Sequence, residues 1–394
     1  MSMHYSSDEF THLVSGIEEQ AMTTVQHSVP KQEQEAESRL IKLLVWDLDN
    51  TLWRGTLLEG DDVCVREGVR ETLKTLDERG ILHSIASKND YDLMMAKLNE
   101  AGIEEYFLYP QACWNAKSAG IRAIASAINI GLDAVAFIDD ESYERGEVRQ
   151  SLPEVMTIDA SELETLVDRP EFNPPYVTND AAQRREMYRR GLERKRAEEQ
   201  FVGPTEEFLA TLGMEFTITH LQEEDLKRAE ELTVRTHQLN TTGYVYSVDE
   251  LRALRRSPNH LFFVAALEDR FGPYGKVGLT LIEKGSKVWT IKLFLMSCRV
   301  MSRGVGTVMM NHLLDLARDA GVVLEAEFRA NQRNRMALIT FKLAGFREVA
   351  RSEDVILFRH DLDQSTSANW LKYTTSEWLR VQRHPEWIKV RIVE

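Results

Sequence analysis

Two aspartates follow an apolar run near the start of the chain. The run "LLVW" at residues 43–46 leads into "DLDNT", which places Asp47 and Asp49 with one residue between them. Side chains alternate along a strand, so both carboxylates lie on the same side of a strand that is leaving its sheet. Like charges this close must share a proton or neutralise a cation, and Mg²⁺ takes one or two carboxylates together with water and phosphate oxygens. The pair could instead cap a turn at the strand end, and "DLDNT" alone leaves both interpretations open.

Further polar side chains stand at the ends of later predicted elements. The run "ILHSIAS" ends in Ser87, and "AVAFIDD" ends in Asp139 and Asp140. Lys117 opens a predicted helix, where a cation opposes the helix dipole, so its position suggests that it holds an anion. Phosphoryl transfer requires a set of groups that one sheet edge would supply here: carboxylates that bind a metal, a hydroxyl group and a lysine.

The elements that position these residues alternate between strand and helix from residue 40 to about residue 170. Near-continuous apolar runs, such as "LIKLLVW" and "ILHSIAS", are separated by helical patterns such as "GVRETLKTLDERG". This alternation predicts a parallel sheet covered on both faces, with the chemistry at the carboxyl ends of its strands. We therefore expect one domain at residues 40–170, preceded by a helical segment at residues 1–39 that contains an amphipathic helix at 7–28.

The second half of the chain has a different organisation. A proline-containing break opens a charged helical linker at residues 171–213, and its basic cluster at 184–196 is either a solvated connecting helix or a docking patch for an acidic partner. Residues 214–361 mix strand and helix patterns and predict a second α/β domain. Residues 362–394 contain three tryptophans and are expected to form a packed C-terminal extension.

The chemical groups of the first domain resemble, in order and context, the four motifs of the haloacid dehalogenase superfamily. The resemblance covers residues 41–165 and implies a Rossmann-like fold that binds Mg²⁺. The distance between the first two motifs leaves no room for a folded cap, so the domain looks capless. The resemblance implies these roles: Asp47 as nucleophile, Asp49 as acid/base, Ser87 and Lys117 as phosphate-binding residues, and Asp47, Asp49, Asp139 and Asp140 as residues of the metal site.

The second domain resembles the Gcn5-related N-acetyltransferase fold over roughly residues 214–360. Gly304 and Gly306 open a helix after a strand, where free amides could meet a pyrophosphate, and "NQRNRMALITFKLAGF" follows. Arg303 is directly followed by Gly304, which departs from the usual glycine spacing of that family. Acetyl-CoA binding is therefore left open.

The pairing of the two domains, together with "SCRVMSRGVG" and "RTHQLNTTG", resembles the FkbH-like glyceryltransferase/phosphatase family over nearly the whole chain. That resemblance implies removal of phosphate from 1,3-bisphosphoglycerate and delivery of the glyceryl unit to the phosphopantetheine thiol of an acyl carrier protein, in polyketide or tetronate biosynthesis. It supports an acyl thioester on Cys298, for which His237 is our candidate base. Cys298 could also be an inert buried thiol, and His237 a helix-end residue.

Composition narrows the possible partners and compartment. The net charge of −15 argues against nucleic acid, because phosphate neutralisation needs a basic surface. No apolar run is long enough to span a bilayer, "MSMHYSSDEF" lacks the features of a secretory signal, and the three cysteines form no disulfide or metal pattern. We therefore expect a cytoplasmic protein without a membrane partner. An acidic carrier would need a basic docking surface, for which the candidates are residues 184–196 and the group Arg252, Arg255 and Arg256.

Two alternative functions remain open at this point. One is a small-molecule phosphatase fused to a CoA-dependent N-acetyltransferase. The other is a scaffold in which both folds only hold partners. The scaffold is disfavoured because every motif of the first domain retains its reactive side chain.

Overall fold

The computed structural model describes residues 39–331, 333–362 and 385–393. Residues from Leu40 onward belong to one compact unit. The predicted helix at 7–28 lies outside the described residues, as do Trp370 and Trp378 of the expected C-terminal extension.

A five-stranded parallel sheet forms the first domain, in the order β5-β4-β1-β6-β7. Its strands are β1 Leu43–Trp46, β4 Leu82–Ser87, β5 Gln111–Ala112, β6 Val135–Asp139 and β7 Met156–Asp159, and a separate ribbon pairs β2 Trp53–Arg54 with β3 Cys64–Val65. The helices are α1 Val69–Glu78, α2 Tyr91–Glu100, α3 Lys117–Ile128 and α4 Ser142–Ser151.

Both faces of this sheet are covered, as the apolar runs predict. In β1, Leu43 and Val45 pack into one core and Leu44 and Trp46 into the other. Between β1 and β4 the chain forms only the ribbon, a single turn of 3-10 helix and α1, which leaves no folded cap. The prediction of a Rossmann-like domain is confirmed.

A linker of three helices follows: α5 Asn179–Ala182, α6 Arg184–Gln200 and α7 Thr205–Thr211. Helix α6 joins the two domains through its arginines. Arg185 Nε donates to Asp77 of the first domain at 3.0 Å. Arg194 is buried and donates to Asp269 of the second domain, through Nε at 2.6 Å and Nη2 at 2.9 Å. Arg184, Arg185 and Arg194 of the basic cluster at 184–196 are therefore engaged within the protein. Arg189, Lys195 and Arg196 are exposed, and docking of a partner there stays a prediction.

The second domain is built on an eight-stranded mixed sheet in the order β13-β14-β12-β11-β10-β9-β8-β15. Its strands are β8 Met214–His220, β9 His260–Asp269, β10 Gly272–Lys284, β11 Val288–Met296, β12 Val323–Phe328, β13 Arg347–Arg351, β14 Ile356–His360 and β15 Ile388–Val393. Its helices are α8 Leu226–Arg235, α9 Val248–Arg256, α10 Val305–Asp319 and α11 Arg335–Leu343. The predicted order of a Rossmann-like domain and then a mixed α/β domain is confirmed.

Three local sequence patterns differ from the structure. The run "EEDLKRAEELTVRTHQLN" at residues 223–240 predicts a helix. That helix ends at Arg235, because Thr236 turns to an extended conformation and the following segment pairs with β11. The run "VWTIKLFLMSC" at residues 288–298 predicts a strand, but the strand ends at Met296 and Cys298 begins a 3-10 helix. Strand β15, which the sequence pattern did not indicate, pairs in parallel with β8 at the sheet edge.

Candidate active sites

Three aspartates meet at the carboxyl ends of β1 and β6. Asp47, Asp139 and Asp140 each contribute a carboxylate oxygen, and these oxygens lie within 4.8 Å of one another. These three residues would hold a Mg²⁺ ion, which takes carboxylate oxygens together with water and phosphate oxygens. Asp139 Oδ2 is buried and has no hydrogen-bond partner. A hard oxygen donor set with one buried oxygen to satisfy fits the predicted Mg²⁺.

Lys117 is the cation that faces these carboxylates. Its Nζ contacts Asp47, lies 3.5 Å from Asp139 Oδ2 and donates to the carbonyl of Ala86 at 2.8 Å. Burial raises the pKa of Asp47, and burial followed by repulsion from Asp47 raises the pKa of Asp139 to about 7. The position at the start of α3 therefore places Lys117 against anions, as its unfavourable place on the helix dipole predicts.

Asp49 has a different environment and is not among the three clustered aspartates. Its Oδ1 accepts from the indole of Trp53 at 2.7 Å and from the amide of Leu57 at 3.2 Å. Its Oδ2 accepts from Asn89 Nδ2 at 3.0 Å. These bonds orient the carboxylate, which suits an acid/base, whereas they give no support to Asp49 as a carboxylate ligand of the metal.

Asn89 is a site residue that the sequence analysis missed. It is buried and stands two positions after Ser87, at the same strand end. That position is the signal that could have found it. Ser87 itself lines a recess of about 10 Å³ together with Lys117, so the two predicted phosphate-binding residues do come together.

Cys298 lies in a separate, larger cavity of about 550 Å³. Its walls come from the first domain through Lys42 and residues 129–133, from the linker through Arg184 and Tyr188, and from the second domain through residues 235–238 and 297–299. The cavity therefore lies at the junction of the two domains. His237 lines it as well, so the structure brings both predicted acyl-transfer residues to one place.

The electrostatics of the Cys298 thiol are set mainly by burial. Burial raises its pKa, while the positive charges of Arg299 and Lys42 lower it. No hydrogen bond joins the thiol to His237 within the part of the chain that the structure describes. Burial, and then the charge of Lys42, lowers the pKa of His237 to about 4, so its imidazole is neutral at pH 7 and is only a weak base towards the Cys298 thiol, whose pKa is raised. Its role as base stays a prediction.

The two sites lie at opposite ends of the parallel sheet. Lys42, residues 131–133 and Glu154 precede their strands, whereas the aspartates follow theirs. Lys42 and Asp47 flank β1, and five steps of an extended strand separate them by about 16 Å. The space between the sites is filled by the sheet and its buried side chains.

Two features of the second domain bear on coenzyme binding. The pairing of β11 with β12 covers only Val288–Ile291, and beyond it Leu239–Thr241 fills the space between the strands. The amide of Met296 donates to the carbonyl of Leu239, and the amide of Arg329 donates to that of Thr241, both at 2.9 Å. The gap between the parallel strands is therefore occupied by the chain itself.

The start of α10, where the sequence suggested a pyrophosphate site, is also covered. Gly304 has a φ of +79° and ends the turn that opens the helix. A Cβ placed on it would lie 3.6 Å from Pro385 and 3.7 Å from Ile388. The C-terminal segment thus packs against the point at which a pyrophosphate would meet the helix.

The second candidate docking surface is also partly engaged. Arg252 and Arg255 on α9 both donate to Glu223, at 2.7 and 2.8 Å. Arg256 is exposed. Carrier binding at this surface stays a prediction.

Comparison with known proteins assigns the second domain. Residues 226–346 match the family model described as acetyltransferase (GNAT) family. No curated protein matches the chain at a significant level. The chain therefore contains a GNAT acetyltransferase domain, and the prediction that it is an enzyme is confirmed.

Solved structures resemble separate parts of the chain. One is the N-terminal part of a Bacteroides fragilis protein that contains a phosphatase domain complexed with Mg: 29% identity, 34% of this chain and 41% of that chain covered, TM-score 0.32. A second is the ribosomal-protein-S18-alanine N-acetyltransferase from Escherichia coli: 18% identity, 39% and 97% covered, TM-score 0.31. A third is the PaiA N-acetyltransferase from Thermoplasma acidophilum in complex with coenzyme A: 14% identity, 37% and 98% covered, TM-score 0.31.

The class of protein follows from the sites and the family match. A Rossmann-like domain with a clustered aspartate site precedes a GNAT domain in one chain. None of the described helices combines the length and apolar character needed to cross a membrane.

Proposed function

We propose that the protein is a bifunctional enzyme that removes phosphate from 1,3-bisphosphoglycerate and loads the glyceryl unit onto the phosphopantetheine thiol of an acyl carrier protein. The observation that carries the proposal is the position of Cys298 in a cationic cavity at the junction of the two domains. An acyl phosphate is both anionic and activated towards a thiol, so it matches the charge and the nucleophile of that cavity.

The phosphatase step would run at the aspartate site. The Asp47 carboxylate attacks phosphorus, the ester P–O bond breaks, and the leaving oxygen keeps the electron pair and takes a proton from Asp49. Water then attacks the aspartyl phosphate, gives its proton to Asp49 and releases inorganic phosphate. Mg²⁺ held by Asp47, Asp139 and Asp140 would supply neutralisation of the negative charge. Lys117 and Ser87 bind the phosphoryl oxygens.

The acyl step would run at Cys298. Its sulfur attacks the carbonyl carbon of the acyl phosphate, a C–S bond forms, and the C–O bond to phosphate breaks with the electron pair leaving on phosphate. The thiol proton passes to a base, for which His237 is the candidate. The carrier thiol then attacks the thioester, and Cys298 leaves and takes up the proton of the attacking thiol.

Mass spectrometry of the carrier tests the proposal. The protein, Mg²⁺, 1,3-bisphosphoglycerate and a candidate carrier should together yield a glyceryl-carrier, and Cys298→Ala should yield none. The matched control is Cys64→Ala, which removes an exposed thiol and should load the carrier normally. Loading by Cys298→Ala at the wild-type rate would mean that transfer is direct. No loading by the wild type with any candidate carrier would reject the function.

A second candidate function is a phosphatase fused to a CoA-dependent N-acetyltransferase, and the GNAT match favours it. The chain segments that fill the gap beside β11 and cover Gly304 weigh against it. Release of free CoA from acetyl-CoA on addition of an amine, without any carrier protein, would establish this alternative.

A further inference from the structure

The cavity around Cys298 collects positive charge from both domains. Six of its lining residues are cations and two are carboxylates. The cations are Lys42, Arg184, Arg228, Arg235, Arg299 and Arg333. The excess is local, because the chain as a whole carries −15. A concave site with this charge concentrates anions.

Most of these cations already have carboxylate partners. Arg184, Arg228 and Arg235 all contact Glu231, and Arg228 also lies 3.0 Å from Asp180. The three guanidinium groups therefore share two carboxylates and remain in excess.

Lys42 and Arg299 differ from the others. Among the described residues, neither has a carboxylate within 4.0 Å. Lys42 Nζ donates only to the carbonyl of Arg235, at 3.5 Å, and Arg299 Nε donates to the hydroxyl of Ser297 at 3.3 Å. Burying a charge without a counter-charge is unfavourable, so a bound anion would stabilise both charged side chains.

We propose that Lys42 and Arg299 form a binding site for the phosphate of a small phosphorylated acyl donor, beside the Cys298 thiol. The inference rests on the proposed function for the identity of the donor, while the anion site stands on the cavity itself. Lys42 comes from the first domain and Arg299 from the second, so the acyl-transfer site is complete only when the two domains are joined. A planar guanidinium and a compact ammonium bind phosphate oxygens in complementary ways.

The protonation behaviour of both groups agrees with this role. Burial, and then repulsion from Arg235, lowers the pKa of Lys42 to about 8. Burial, and then repulsion from Arg228, lowers the pKa of Arg299 to about 10. A bound phosphate favours the charged form of each and reverses part of these shifts.

Protection of the Cys298 thiol tests the anion site directly. The rate of alkylation by iodoacetamide, a neutral reagent, is followed by peptide mass spectrometry. The probes are inorganic phosphate and 3-phosphoglycerate, with glycerate at equal ionic strength as the unphosphorylated control. In the wild type, 3-phosphoglycerate should slow alkylation of Cys298 in a saturable way, and glycerate should not.

Variants then assign the protection to the two cations. Lys42→Gln and Arg299→Gln should each weaken 3-phosphoglycerate binding by about 10- to 100-fold, as expected for the loss of a charge-assisted hydrogen bond. The matched controls Lys74→Gln and Arg122→Gln remove exposed cations elsewhere and should leave the protection unchanged. Lys42→Arg should retain it, which separates charge from folding. Should Arg299→Gln fail to fold, the comparison of Lys42→Gln with Lys42→Arg decides the test.

The possible outcomes distinguish this inference from the proposed function. Equal protection in Lys42→Gln and the wild type, protection by glycerate, or no protection by any phosphate would overturn the anion site. Phosphate-specific protection that depends on Lys42 and Arg299, without any acyl adduct from 1,3-bisphosphoglycerate, would keep the anion site and reject the function. An acyl adduct that forms at an unchanged rate in Lys42→Gln and Arg299→Gln would keep the proposed function and reject the anion site.

Discussion

Replacing Asp47 with asparagine should stop phosphate release without unfolding the protein. The change keeps the shape of the side chain and removes the nucleophile together with one carboxylate of the aspartate cluster. Loss of the nucleophile should lower the rate of phosphate release by at least about 10³-fold, equivalent to about 4 kcal/mol of activation free energy.

The stability of this variant follows from the charges around Lys117. Its ammonium contacts Asp47 and lies 3.5 Å from Asp139, so two buried carboxylates face one cation. Asp47→Asn leaves one carboxylate and one cation, and the free energy of unfolding should change by no more than about 1 kcal/mol. Lys117→Met leaves two buried carboxylates without a cation and should lose about 3–5 kcal/mol.

The assay combines phosphate release from a phosphomonoester in Mg²⁺ with denaturant unfolding of each variant. Asp92→Asn, at an exposed position of α2, is the control and should match the wild type in both measurements. Phosphate release by a clean Asp47→Asn preparation at a rate near that of the wild type would refute the assignment of the nucleophile. A large loss of stability in Asp47→Asn, with little in Lys117→Met, would contradict the argument that two buried carboxylates share the one cation Lys117.

Three further predictions concern the domain junction, a buried histidine and the metal. Arg194→Met leaves Asp269 buried without its partner and should lower the free energy of unfolding, measured in denaturant, by about 3–5 kcal/mol. Arg189 is half-exposed, and Arg189→Met should lower that free energy by about 1 kcal/mol or less. Equal effects of the two changes would contradict the role of α6 in joining the domains. Burial lowers the pKa of His83 to about 3, so the folded protein binds the proton less readily than the unfolded chain, whose histidine pKa is about 6.5. The free energy of unfolding should therefore fall as the pH falls from 6.5 towards 3, by about 2 kcal/mol between pH 6.5 and 5. The same pH dependence in a His83→Gln variant would disprove this assignment. Chelation of Mg²⁺ should abolish phosphate release yet leave the alkylation rate of Cys298 unchanged, and release that survives chelation would exclude the metal.

Much of the aspartate site could be predicted because it depends on local patterns. Asp47, Ser87 and Asp139 end apolar runs, and parallel strands bring their carboxyl ends to one edge. Lys117 was found from its unfavourable position on a helix dipole. The separate environment of Asp49 was not predicted, since it depends on Trp53 in the ribbon and Asn89 in the next loop, whose side-chain directions no periodicity specifies.

The cavity around Cys298 was predicted only in part. Cys298 and His237 were chosen from sequence resemblance, and they do line one cavity. The cationic wall was missed because Lys42 and Arg299 are far apart in the chain and meet only through the packing of the two domains. That packing is held by arginines of α6, such as Arg194, whose charge alone suggested solvent exposure instead.

The separation of the two sites constrains the order of the reaction. A phosphoglyceryl group on Cys298 extends at most about 8 Å from sulfur to phosphorus, judged from ordinary bond lengths. Lys42, which lines the cavity, lies about 16 Å from Asp47 along β1, with the packed sheet between them. In the proposed reaction, we therefore expect the phosphoester to be removed before the acyl group reaches Cys298 or after it has left on the flexible arm of the carrier.

This constraint gives a final prediction. The adduct on Cys298 is formed from 1,3-bisphosphoglycerate without Mg²⁺, and free donor is removed by gel filtration. On addition of Mg²⁺ alone, the adduct should keep its phosphoryl group for as long as the thioester survives, because Asp47 cannot reach it. The intact mass of the protein reports the result, and Asp47→Asn serves as the control in which no hydrolysis is expected. Loss of the phosphoryl group from the wild-type adduct, with the thioester intact, would contradict this constraint and show that a conformational change brings the two sites together.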